Sequence, residues 1–293
     1  MFIAGIDGGG SHTGLELRTM DNQLLGRSQF GPFNYNSIGE EAFRHRLHQI
    51  FDACGNMAQC KKLCIGAAGV SNPRTGEILE EELQAHGFHG LLHLCGDQET
   101  ALRGAMDGPG LILIAGTGSI CYGRNAAEET ARAGGLGHLI DDGGSGYALS
   151  RAAVISAIRY LDGRQGSKAL ADLVCREFSC TTPKEITTFV HDTAGDKAQM
   201  AKLARPLLEL AREGDPQVLE ILRQGAEELA MLVEAVKKKL HVSAATVALL
   251  GSLIAGDNPY SRIVSSRLFG IAEPVCPNHD ALWGAAQLAW ELK

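Results

Sequence analysis

Phe2-Ile3-Ala4-Gly5-Ile6-Asp7-Gly8-Gly9-Gly10-Ser11-His12-Thr13 opens the chain, and the reading of this stretch decides the fold. An apolar run ends in a carboxylate and three glycines, which predicts a buried strand over 2–7 followed by a tight turn. A second strand is expected over 13–20. Asp21-Asn22 then turns the chain into 23–29, completing a three-stranded antiparallel meander. Next come an amphipathic helix over 40–54, a strand over 62–70, a helix over 77–86 and a strand over Leu91–Cys95. That order predicts a mixed α/β layer.

The pattern then restarts. Gly110–Ala115 is an apolar strand that ends in Gly116-Thr117-Gly118-Ser119 and continues as a strand over 120–124. Two strand–glycine turn–strand units predict two related α/β lobes with a cleft between them, and clefts between lobes are where ligands bind. A glycine-dense stretch covers 134–146, after which helices are expected over 147–161, 167–178, 198–213 and 216–240. A strand over Thr246–Leu250 ends in Gly251-Ser252, and Asp280 caps a last apolar helix over 281–292. The lobes are expected at 1–107 and 108–280, with 281–293 packing back on the first. No low-complexity linker separates them, so the boundary is a crossing point and not a tether.

The chain has 293 residues, 45% of them hydrophobic, enough for two packed lobes. Its 27 Lys+Arg against 34 Asp+Glu give a net charge of -7 without a basic face, apart from the run Lys237-Lys238-Lys239, which reads as a solvated helix end. Nucleic acid and anionic membrane are poor partners for such a surface. There is no apolar stretch of about 18 residues, as a membrane span needs. A chemical motif already at Asp7 leaves no room for a signal peptide or for an N-terminal DNA-binding module. The eight cysteines, Cys54, Cys60, Cys64, Cys95, Cys121, Cys175, Cys180 and Cys276, form no Cys-x-x-Cys pair and are expected to be reduced and mostly buried in a cytoplasmic protein.

Four places could carry chemistry. In the first turn, Asp7 stands at a strand end beside glycines that let backbone N–H groups approach a phosphate closely; a plain hairpin turn is the structural alternative. It lacks the third glycine of a dinucleotide fingerprint and the Gly-Lys-Ser/Thr of a P-loop. The second turn, 115–119, adds the hydroxyls of Thr117 and Ser119. Asp97, directly after the strand Leu91–Cys95, is either a helix N-cap or the general base of a phosphoryl-transfer site. The stretch 134–146 is too rich in glycine for a helix or strand and carries Asp141 and Asp142, which suit a hydroxyl-rich ligand. Within it, His138 reads as a local hydrogen-bonding residue more than a catalyst.

Taken in order, these residues resemble the N-acetylglucosamine kinases and the BadF/BadG/BcrA/BcrD ATPase family, within the superfamily of sugar kinases, Hsp70 chaperones and actin. The likeness covers nearly the whole chain. It rests on Asp7-Gly8-Gly9-Gly10-Ser11, on Gly96-Asp97 with Ala101-Leu102, on Gly116-Thr117-Gly118-Ser119, and on the glycine-dense stretch from Gly134 through Tyr147. Gly251-Ser252 and Asp280-Ala281-Leu282-Trp283-Gly284-Ala285-Ala286 complete it. The ordered set is specific; its single members are not.

The resemblance implies two ribonuclease H-like, actin-like ATPase lobes and transfer of phosphate from ATP to an amino sugar. It implies Asp97 as the base that takes the proton of the sugar hydroxyl, and Mg²⁺ held with help from Asp7 through water. Asp7, Gly9, Gly10, Ser11, Thr117, Gly118, Ser119, Gly251, Ser252 and Ala255 would hold ATP. Asn34, Asp97, Thr117, Gly135, Leu136, Asp142 and Gly146 would line the sugar pocket. By analogy a homodimer is the assembly to look for.

Two departures fall in the sugar-facing loop. Leu136 stands where animal N-acetylglucosamine kinases carry Trp, and Asp142-Gly143-Gly144-Ser145 replaces their Asp-Glu-Gly-Ser. N-acetylglucosamine, converted to its 6-phosphate, leads the expected substrates, with glucosamine and N-acetylmuramic acid open beside it. The rival from another class is an ATPase that activates a 2-hydroxyacyl-CoA dehydratase or a reductase through a cysteine-held iron–sulfur cluster. This chain lacks the cysteine-containing glycine motif of those proteins, and Cys121 stands alone near the second turn.

Overall fold

The computed structural model describes residues 1–10, 12–192 and 196–293. Their contacts divide them into two compact units, Met1–Gly108 with Pro277–Lys293, and Pro109–Cys276.

The first unit begins with β1 (Phe2–Gly8), β2 (Thr13–Arg18) and β3 (Leu24–Phe30), followed by α1 (Tyr35–Cys54), β4 (Cys60–Ala67), α2 (Pro73–Ala85), β5 (Leu91–Cys95) and α3 (Asp97–Ala105). The sheet order is β3-β2-β1-β4-β5. The opening three strands are the antiparallel meander, while β4 and β5 add in parallel through helical crossovers. Alternation along β1 and β4 sends Ala4, Ile6, Leu63 and Ile65 into one core with Phe43, Leu47 and Ile78, and Ile3 and Cys64 to the opposite face. α1 starts five residues earlier than the expected 40 because Asn34 caps it, and it is broken at Gly39, whose φ is +77°.

The second unit holds β6 (Gly110–Ala115), β7 (Ser119–Arg124), β8 (Thr130–Gly134), α4 (Gly146–Leu161), α5 (Lys168–Phe178), α6 (Pro183–Asp192), α7 (Lys197–Ala201), α8 (Ala204–Arg212), α9 (Pro216–Lys239), β9 (Thr246–Leu250), α10 (Pro259–Leu268) and β10 (Glu273–Val275). Its sheet order is β10-β9-β6-β7-β8, again a meander followed by two parallel strands. Each lobe therefore has the same mixed five-stranded plan. The chain ends in α11 (Ala281–Glu291), which belongs to the first unit.

Several elements differ from expectation. β8, α6, α10 and β10 were not anticipated, and Gly134, assigned to the loop, ends β8. The helix expected over 198–213 is two, because the Leu203 amide donates to the Met200 carbonyl three residues back, tightening the turn between α7 and α8. The lysine run does not simply face solvent: Lys237 Nζ donates to the Ile271 carbonyl and Lys239 Nζ to that of Arg132. All eight cysteines are free, with Cys175 half-buried, Cys276 exposed and the others buried.

α11 lies on bare backbone. A Cβ on Gly5 would sit 2.3 Å from the Ala286 nitrogen, and one on Gly284 would sit 2.1 Å from the Thr100 carbonyl. Glycines are the only residues that allow β1, α3 and α11 to approach so closely. Asp280 accepts from the Trp283 amide at 2.7 Å as the N-cap of α11 and also receives Arg27, whose other partner is the fully buried Glu16.

Candidate active site

In each unit several of the residues expected to carry chemistry lie at the carboxyl ends of strands, where strand termini leave room for a ligand. In the first unit β1 delivers Asp7 and the turn that follows it. The Gly9 amide donates to the His12 carbonyl at 3.0 Å and the Phe33 amide donates back to the Gly9 carbonyl at 3.0 Å, which fixes the turn. A Cβ on Gly8 would run into the Phe33 ring, whereas Gly10 faces open space. Ser11 lies outside the described residues. Asn34, expected in the sugar pocket, accepts from the Asn36 amide at 3.1 Å as the cap of α1.

Asp97 is the first residue of α3. The N-cap is Gly96, which makes no side-chain cap bond, so the capping alternative for Asp97 does not hold. Burial pushes its carboxyl up, and the backbone N–H groups of Gln98 and of Asp97 itself pull it partly back. Asp7 is pushed up to about 6, chiefly by burial, with Asp97 and Asp280 adding repulsion and the Thr100 hydroxyl opposing it. Thr100 Oγ1 lies 2.7 Å from Asp7 Oδ1 and 2.8 Å from the Asp97 carbonyl. One hydroxyl thus ties the end of β1 to the first turn of α3. Sequence reasoning missed Thr100; its place three residues after Asp97, one helical turn on, was the only local signal.

In the second unit the turn between β6 and β7 is braced from two later segments. The Gly116 amide donates to the Gly118 carbonyl, and the Gly146 and Tyr147 amides donate to the carbonyls of Gly116 and Thr117. Ser119 donates through its hydroxyl to the Gly143 carbonyl at 2.7 Å and through its amide to Asp142 Oδ1 at 3.2 Å. Asp142 is 2% exposed and adopts a left-handed φ of +63°. Among the described residues its Oδ2 receives no hydrogen bond, and Lys197 Nζ lies 3.8 Å away. A buried carboxylate oxygen left so is an acceptor awaiting a donor.

Gly251 follows β9 with φ +89°, and a Cβ there would sit 2.4 Å from the Ala115 carbonyl. It is therefore packed on the base of the β6–β7 turn, and the Ala255 amide returns to its carbonyl at 3.0 Å. Ser252 and Ala255 are exposed beside it. Gly135 has φ +72° and lies against Ile120, while Leu136 is 59% exposed on the loop that follows. His138 packs edge-on against the Tyr147 ring, 4.6 Å between centroids, a local packing role. The structure thus groups Asp7, Gly9, Gly10, Asn34 and Asp97 in one unit, and Thr117, Gly118, Ser119, Gly135, Leu136, Asp142, Gly146, Gly251, Ser252 and Ala255 in the other.

Known proteins resemble the chain over most of its length. The chain is 33% identical over 254 residues to the N-acetylmuramic acid/N-acetylglucosamine kinase of Clostridium acetobutylicum, covering 85% of this chain and 83% of that one. It is 26% identical over 254 residues to the N-acetyl-D-glucosamine kinase of Dictyostelium discoideum, covering 80% and 79%. A solved structure from Chromobacterium violaceum, provisionally named an N-acetylglucosamine kinase, superposes with a TM-score of 0.82 at 27% identity over 98% of both chains. The model of one family matches residues 4–289. The chain belongs to the BadF/BadG/BcrA/BcrD ATPase family.

Proposed function

We propose that this protein is an ATP-dependent amino-sugar kinase that transfers the γ-phosphate to the 6-hydroxyl of N-acetylglucosamine or a close analogue. The observation that carries the reading is the tied pair of acids in the first unit, Asp7 at the end of β1 and Asp97 at the start of α3. Two carboxyls raised by burial, on segments held together by the Thr100 hydroxyl between Asp7 Oδ1 and the Asp97 main-chain carbonyl, suit a site in which one meets phosphate charge and the other a reacting alcohol. Relatives named as kinases of N-acetylglucosamine and N-acetylmuramic acid support the same class of substrate.

In this reading Asp97 accepts the proton of the attacking hydroxyl. Its raised affinity for protons makes it a stronger base than an exposed aspartate. The turn amides of Gly10, Thr117 and Gly118, which the internal bonds of the two turns leave over, hold phosphate oxygens, and Asp142 Oδ2 takes a hydroxyl hydrogen of the sugar. Asp7 fits Mg²⁺: it is a hard oxygen donor, no basic side chain pairs with it among the described residues, and Thr100 engages only Oδ1. Bound through water there, the ion would neutralise charge building on the phosphates. The rival activator chemistry needs thiolates that can hold a shared cluster, and Cys121 is fully buried in β7, which disfavours it.

The test is a coupled ADP-release assay over N-acetylglucosamine, N-acetylmuramic acid, glucosamine and glucose, with the phosphorylated carbon identified by NMR. ADP release that does not depend on any amino sugar would overturn the reading.

A further inference from the structure

β5 carries a second cluster that the proposed phosphoryl transfer does not use. His93 and Cys95 alternate onto one face of the strand, and the parallel register places Cys64 of β4 directly beside His93. Glu99 reaches back from the first turn of α3 to the same point. One ligand atom each from His93, Cys95 and Glu99 lies within 4.8 Å of the others. His93 Nε2 and Glu99 Oε1 are 2.7 Å apart, and the sulfurs of Cys64 and Cys95 are 4.0 Å apart.

His93, Cys95 and Glu99 already stand close enough for one ion, and Cys64, outside that group but 4.0 Å from Cys95, must turn inward to complete a tetrahedral set. With Zn–S bonds near 2.3 Å, two thiolates on one tetrahedral zinc stand about 3.8 Å apart, close to the separation already present. The imidazole and carboxylate are nearer than two ligands of one ion, so they need only part by a fraction of an ångström as the ion replaces their shared proton. Cys64 and Cys95 are closed to solvent, while His93 and Glu99 are each about one-third exposed, which gives an ion a way in from the rim. Two sulfurs with one nitrogen and one oxygen select a thiophilic divalent ion and reject magnesium.

We propose that Cys64, His93, Cys95 and Glu99 form a binding site for a thiophilic divalent cation, Zn²⁺ suiting it best. Loading releases the proton of each thiol and the one between His93 and Glu99 to solvent. The bound ion joins β4, β5 and α3 on either side of Asp97, bracing the strand–helix junction that carries it.

The experiment uses the full chain, stripped with chelator, kept reduced, and titrated with Co²⁺ in the absence of sugar and nucleotide. Its outcome is therefore independent of the kinase reading. One equivalent of Co²⁺ should give visible bands of tetrahedral coordination together with a near-ultraviolet thiolate charge-transfer band, and Zn²⁺ should displace both. Cys95→Ser should cut the charge-transfer band by at least half. His93→Gln and Glu99→Gln, on the accessible rim where folding is not at stake, should weaken binding by at least ~10-fold, the lower value even for partners outside the ligand shell. Absence of the charge-transfer band in the wild-type chain, or an unchanged titration in His93→Gln, overturns the site.

Discussion

The hydroxyl of Thr100 lies 2.7 Å from Asp7 Oδ1 and 2.8 Å from the Asp97 carbonyl. It has a single proton to give, so its direction follows the charge on Asp7. When Asp7 is ionised the hydroxyl donates to it; when Asp7 is protonated the hydroxyl can turn to the Asp97 carbonyl. A hydrogen bond to a charged group is worth roughly 1.5–3 kcal/mol, or about 1–2 pH units in the titration of its acceptor. Thr100→Val should therefore move the acid limb of the kcat/KM profile up from about 6 by that amount. An acid limb that stays in place would separate Asp7 from the pH dependence.

The same burial has a consequence for stability. Asp7 rises from 3.8 to about 6 on folding, so the folded state holds its proton where the unfolded chain has lost it. The stability this confers is complete below pH 4 and is lost as pH rises through 6. At about 1.36 kcal/mol per pH unit the loss is at most about 3 kcal/mol. Asp7→Asn keeps an acceptor for Thr100 and removes the charge. It should be more stable than wild type to urea at pH 7.5, no more stable at pH 4, and catalytically dead. Equal unfolding midpoints at pH 7.5 would refute the buried-charge account.

If Asp97 is the base, its loss should be separable from nucleotide binding. Asp97→Ala should lower kcat by about 10²–10⁴, the contribution of a positioned general base, while the dissociation constant of a non-hydrolysable ATP analogue barely changes. Undiminished turnover would end its assignment as base.

What was legible in the sequence follows from the kind of signal each element leaves. Gly110–Ala115 and Thr246–Leu250 were bounded correctly because interior strands are continuous apolar runs stopped by glycine, and the edge strand Leu91–Cys95 because Gly90 and Gly96 bracket it. β8 was missed because Thr130-Ala131-Arg132-Ala133 is an edge strand of small and charged residues, whose only pairing is with β7. The glycine turns and both aspartates could be found by residue type. The orientation of their partners could not: that Asn34 caps α1, that Asp142 faces Ser119 and that Thr100 faces Asp7 all depend on register between distant segments.

Asp142 offers a test of the proposed sugar contact. Asparagine tolerates its left-handed backbone and can keep the Ser119 bond, so Asp142→Asn isolates the charge on the unpartnered oxygen. Loss of one charged acceptor should raise the sugar KM about 10–100-fold and leave the ATP KM nearly unchanged. Asp142→Ala should add backbone strain of about 1–2 kcal/mol and a lower melting temperature. A sugar KM untouched in Asp142→Asn would remove it from the pocket.

The C-terminal helix packs on α3 backbone to backbone. A Cβ on Gly284 would sit 2.1 Å from the Thr100 carbonyl and 2.5 Å from the Gly104 nitrogen, so Gly284→Ala must push α11 away from α3. The cost should be about 3 kcal/mol of stability, at the upper end for overpacking. Because α3 carries both Asp97 and Thr100, the displacement should also lower kcat more than it changes either KM. Gly108→Ala, with open space around it, serves as the control and should stay within about 0.5 kcal/mol of wild type. Denaturant titration of the two variants decides the matter: equal stabilities would mean that the contact between the helices does not hold the catalytic segment in place.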